Sequence, residues 1–162
     1  MNGSTENQTS GASDQDGGRD VVLTWTTSHR MLPLVQRIIK DIIARHQALA
    51  RLGPEMQRLD RQRRVLAWPE RARRYQLQEE TAELERSLDE VCAELDVLGV
   101  ALFDADRGQV GFPTLVNNRR AFFSWQPGED DLRAWHFAGE TLRRPVPISW
   151  TTSVDGRRPV KS

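Results

Sequence analysis

Residues 69–98 read PERARRYQLQEETAELERSLDEVCAELDVL, and their spacing decides the first half of the fold. Leu77, Leu84, Val91 and Leu98 stand seven apart, and Thr81, Leu88 and Leu95 interleave between them. That four–three alternation predicts a coiled-coil seam over about three heptads. A helix of this length spans roughly 43 Å at 1.5 Å per residue, and such a seam must be buried against something. Pro69, just after Trp68, is placed to open the helix, since its missing amide hydrogen costs least in the first turn. Gly99 ends it.

Upstream, Met31, Leu34, Val35, Ile38, Ile39, Ile42, Ile43 and Leu49 recur at three- and four-residue steps. Two adjacent apolar rows make a stripe wide enough to meet both a helix and a sheet. Thr27 or Ser28 offers the N-cap, and Pro33 falls in the first turns. Gly53 followed by Pro54 predicts a break, because glycine suits the position past a helix end and proline resists continuation. One kinked helix running to Leu66 is the alternative. Folding this segment back on residues 69–98 buries the seam most simply and predicts a helical hairpin over residues 27–98. A second copy of the chain is the rival partner.

After Gly99 the pattern changes. Residues 100–103 read as a strand and 104–108 (DADRG) as a turn; residues 109–116 read as a second strand, broken by Pro113. Asn117 and Asn118 suit a tight turn because asparagine tolerates positive φ. Residues 120–126 are a third strand, 127–131 (PGEDD) a turn and 132–137 a fourth strand. This is an antiparallel meander over residues 100–137, and helices followed by strands give the α+β class. The β-branched run at 21–25 can add a further strand. One domain is expected over residues 20–150. Residues 1–19 carry too little apolar surface to offset the entropy of ordering and should be disordered. Residues 151–162 should form a loose tail.

Composition narrows the function classes. The 23 basic and 23 acidic residues cancel, so no global field marks a binder of nucleic acid or of membrane surfaces. Lys40 and Lys161 are the only lysines, and the arginine excess reads as codon bias rather than phosphate recognition. The single cysteine, Cys92, cannot form an intrachain disulfide and supplies no metal cluster, so a reducing compartment is expected. No apolar run approaches the roughly 20 residues of a membrane span, and the N-terminus lacks the apolar core of a signal peptide. The cytoplasm is the expected location.

Several segments together resemble a bacterial family catalogued as domain of unknown function 2203. They are residues 24–35 (TWTTSHRMLPLV), 95–102 (LDVLGVAL), 107–113 (RGQVGFP), 123–128 (FSWQPG), 134–136 (AWH) and 137–147 (FAGETLRRPVP). The resemblance implies the α+β architecture and no activity. It also implies an aspartate before the Phe-Pro pair and often a cysteine before the strand tryptophan. Here those positions hold Gly111 and Ser124.

Three groups of residues can be weighed as sites. His136, Asp104, Asp106 and Glu129 would suit a divalent metal or acid–base chemistry if the sheet brought them together. No metal-ligand spacing supports that, and turn chemistry explains the carboxylates equally well. By strand alternation His136 shares a face with Leu132 and Ala134, opposite Arg133, Trp135 and Phe137. His29 and His46 read as ordinary helix-surface residues. Arg58, Arg61, Arg63, Arg64, Arg71, Arg73 and Arg74, with Trp68 and Tyr75 beside them, make a basic hairpin tip able to meet phosphates and bases or an acidic protein. Beyond it, Glu79, Glu80, Glu83, Glu85, Asp89, Glu90, Glu94 and Asp96 surround only Arg86. Phe112, Phe122, Phe123, Trp125 and Trp135 read as core beneath the helices rather than a ligand pocket. Arg143 and Arg144 suggest an anion site, but nothing in the sequence converges on them. The favoured reading is a non-enzymatic interaction or structural module without cofactor, pairing through its hairpin with itself or another protein. A small metal protein or enzyme is the alternative, and a weak nucleic-acid binder the third.

Overall fold

The computed structural model describes residues 21–152. Residues 1–19, and all but the first two of residues 151–162, lie outside the described residues. Helix α1 is Trp25–Arg61, α2 is Trp68–Val97 and a short α3 is Ile148–Thr151. Between α2 and α3 run β1 (Ala101–Asp104), β2 (Gln109–Val116), β3 (Arg119–Trp125), β4 (Ala134–Phe137) and β5 (Arg144–Pro145). The strands form one antiparallel sheet in the order β1-β2-β3-β4-β5. The α+β class and the packed helical hairpin are as expected.

The start of α1 differs from the prediction. Thr24 is the N-cap, its hydroxyl accepting the Thr27 amide hydrogen at 3.1 Å, so Thr27 and Ser28 lie inside the first turn. Residues 21–24 are not a strand. Their link to the sheet is the Leu23 N–H donated to the Pro113 carbonyl at 2.7 Å.

Helix α1 also continues unbroken through Gly53 and Pro54. A mid-helix proline orphans the carbonyl four residues back, here that of Ala50. Both Pro54 and Ala50 are exposed, so water can satisfy that carbonyl. Packing holds the helix on either side, because Leu52, Met56 and Leu59 close over Leu66 and Leu77. Tertiary contact overrides the local stop signal.

Pro113 likewise does not break β2, which pairs with β3 from Val110↔Trp125 to Val116↔Arg119. A strand residue's N–H and C=O point to the same side, and the Pro113 carbonyl faces Leu23, away from β3. The missing amide hydrogen therefore costs no β2–β3 bond. Asn117 and Asn118 form the predicted turn, both at positive φ (53° and 61°).

Two separate cores hold the molecule. The larger joins Leu32, Val35, Ile38, Ile39 and Ile42 of α1 with Val91 and Leu95 of α2 and with Val110, Phe112, Phe123, Trp125 and Trp135 of the sheet. The smaller, at the far end of the hairpin, is Leu59, Leu66 and Leu77 with Leu52 and Met56. Between them Leu84 is only half-buried, and the Arg45 guanidinium bonds Ser87 Oγ at 2.6 Å across the helices. The predicted seam thus packs within the chain. The sheet covers the base of the hairpin, and the distal half projects as two helices alone.

Candidate functional site

The sheet does not gather His136, Asp104, Asp106 and Glu129. Asp104 Oδ1 accepts the backbone N–H groups of Asp106 and Arg107 at 2.9 and 3.1 Å, stabilising the β1–β2 turn. Asp106 meets His46 of α1 at 2.8 Å. Glu129 receives a two-pronged contact from Arg143, with Nη2 2.9 Å from Oε2. His136 is buried with Nδ1 2.9 Å from the Phe137 carbonyl; a carbonyl only accepts, so this bond places the proton on Nδ1. Among the described residues no group of three or more His, Cys, Asp or Glu is placed to hold a metal.

The predicted face of His136 needs one correction. Strand β4 begins at Ala134, and Leu132 is turned into the core with its carbonyl accepting Trp25 Nε1 at 2.9 Å. Alternation therefore cannot be carried back to Leu132. His136 pairs with Phe122 on the sheet face away from the helices, where the Phe103 and Phe122 rings lie 5.4 and 5.7 Å from its own. Of the five aromatics assigned to the core, Phe122 is on that outer face; the other four are buried as expected. Gly111 lies beneath the Phe103 ring, where an added Cβ would overlap it. The aspartate implied by the family resemblance would have to displace that ring.

Sequence reasoning passed over the groups that fasten the hairpin to the meander. His29 of α1 meets Asp131 in the β3–β4 loop at 2.9 Å, while His46, further along the same helix, meets Asp106. Arg143 donates from Nε to Ser124 Oγ at 2.8 Å and from Nη2 to the Ser124 carbonyl at 3.1 Å, besides holding Glu129. These partners are separated by 14 to 102 residues, so no local spacing marks them. Cys92 is half-buried, and burial, then the nearby Asp89 and Asp96, push its thiol above the ordinary range. That disfavours the thiolate a nucleophile needs.

The tip arginines divide. Arg71 Nε donates to the Leu66 carbonyl at 2.9 Å, Arg73 grips Glu55 at 2.9 and 3.2 Å, and Arg74 meets Asp60 at 2.7 Å. The Arg73 hydrogen bond holds Glu55 below its ordinary carboxylate value and, in return, raises the value of Arg73. These three close the hairpin. Arg61, Arg63 and Arg64 are exposed around the connecting loop. Beside them Val65 is 81% exposed, Trp68 75% and Tyr75 59%, and at the opposite end of α2 Val97 is 80% exposed. Large apolar side chains this open, on a hairpin otherwise coated with charge, are a surface feature that folding alone does not explain; Leu142 and Ile148 are comparably open outside the hairpin.

Fold and surface together define an α+β protein in which a charged helical hairpin stands on an antiparallel meander, with Val65, Trp68, Tyr75 and Val97 open on the hairpin and Leu142 and Ile148 open outside the sheet strands. The chain belongs to the family described as Uncharacterized conserved protein (DUF2203), which matches residues 18–146. No curated protein and no solved structure matches it. Among the described residues, no helix is long and apolar enough to cross a membrane.

Proposed function

We propose that this protein is a non-enzymatic interaction module of the cytoplasm, with the hairpin as its docking element and the meander as its base. The observation that carries the reading is the exposure of Trp68, Tyr75 and Val97 along the charged helix α2, with Val65 open in the loop before it. Apolar and aromatic side chains of this kind, ringed by charge, are characteristic of protein-binding surfaces. Nucleic acid is less favoured, because Arg71, Arg73 and Arg74 already serve partners within the chain. Among the described residues, His136, Asp104, Asp106 and Glu129 are not gathered as the metal reading would require.

Photo-cross-linking in cells tests the proposal by position. A photoreactive residue at Val65, Trp68 or Val97 should give adducts of defined mass. The same residue at Leu115 or Leu142, exposed on the meander side, should give none. Adducts confined to the meander positions, or absent throughout, would overturn it.

A further inference from the structure

Helix α2 turns a continuous stripe to solvent, opposite the seam that packs on α1. At about 100° per residue, Trp68, Ala72, Tyr75, Glu79, Ala82, Arg86, Asp89, Ala93 and Val97 fall within an arc of roughly 100°, and all are exposed. We infer that this face binds the same face of a second copy, with the two α2 helices antiparallel about a two-fold axis near Ala82 and Glu83. The inference rests on the hairpin being the docking element and names its occupant.

Charge and shape on the stripe select that arrangement. In an antiparallel pair centred there, Trp68 of one copy lies opposite Val97 of the other. Ala72 lies opposite Ala93, and Glu79 opposite Arg86. Each contact occurs twice, as a two-fold axis requires. The most open aromatic residue of the helix then covers the most open aliphatic one. Alanines at Ala72, Ala82 and Ala93 let the helices approach closely. Arg86 is the only base in α2 beyond Arg74, and within the described residues neither it nor Glu79 forms an ion pair. A parallel pairing would set Glu79 against Glu79 and Arg86 against Arg86, which like-charge repulsion disfavours.

A reciprocal charge swap tests the pairing. Glu79→Arg and Arg86→Glu are substitutions at exposed sites, so circular dichroism should show each variant folded. Light scattering across about 5–200 μM should give twice the 18.5 kDa chain mass for the wild type, near the single mass for each single variant, and the double mass again for the combined variant. As a second readout, Ala82→Cys in a Cys92→Ser background should join two chains through a short bismaleimide, each thiol adding across one maleimide double bond. A wild type at single mass throughout, or a dimer indifferent to both single swaps, would overturn the inference. Defined cross-link adducts at Val65 or Trp68 to a different protein would then leave the docking role standing with another partner.

Discussion

Truncating Leu59 should open the hairpin tip without opening the base. Leu59 is fully buried, yet its cluster holds only Leu66 and Leu77, with Leu52 and Met56 packed against them. Leu59→Ala removes about three carbons, near 2.4 kcal/mol at roughly 0.8 kcal/mol each. The cavity left behind raises the total toward about 3 kcal/mol, within the usual range of about 2–5 kcal/mol. No side chain of the larger core belongs to this cluster, and only half-buried residues such as Leu84 lie between the two. The loss should therefore stay local. Native-state hydrogen exchange reads it directly. Amides around Leu59 and Leu77 should exchange about a hundredfold faster, by 1.4 kcal/mol per decade, whereas those of Phe112 and Phe123 in the sheet keep their protection. Equal acceleration in the sheet would show one cooperative unit and refute the two-core argument.

Other consequences follow from particular contacts. Gly108 has φ of +69°, and an added Cβ would lie 2.6 Å from Ile39 and 2.7 Å from Ile43, so Gly108→Ala combines backbone strain with overpacking. It should cost about 2–5 kcal/mol by urea denaturation, and a loss under about 0.5 kcal/mol would contradict the packing. Arg143→Met leaves Glu129 and the Ser124 carbonyl without their partner. With both charged side chains about a quarter exposed, the loss should be about 1–3 kcal/mol, partly recovered by adding Glu129→Gln. No recovery in the double variant would show that the pair is not the source. Cys92, its thiol value raised by burial, should react with a disulfide reagent at pH 8 at least about tenfold more slowly in the folded chain than in urea. Because the raised value favours the neutral thiol, Cys92 contributes stability below its ordinary value near 9 that is lost as pH rises through the higher folded value. Cys92→Ser should remove that alkaline loss, and an unchanged pH profile would count against it.

The meander was legible because its turns carry strong local chemistry. Asn117 and Asn118 can adopt positive φ, and the Asp104 carboxylate caps its own turn. Local rules failed where packing outweighed them. Pro54 sits on a solvent-facing side of α1 with apolar contacts on both flanks, and Pro113 presents its missing donor away from β3. Strand β5 was not foreseen, since two residues leave no periodicity to read. The candidate site was least legible. Asp106 and Glu129 could join His136 only if the sheet gathered them, and the fold gives them instead to His46 and Arg143.

By itself the sequence determined the hairpin seam, the antiparallel meander and the sorting of charge into a basic tip and an acidic shaft. Those features depend on periods of a few residues and on side chains that act on their own backbone. Only the tertiary structure decided which histidine meets which carboxylate, and that Leu77 is sealed while Trp68 and Val97 stay open. Such outcomes depend on how distant elements close upon one another. The exposed stripe of α2 combines both origins: its spacing is written in residues 68–97, and it stays open because α1 takes the opposite side of α2.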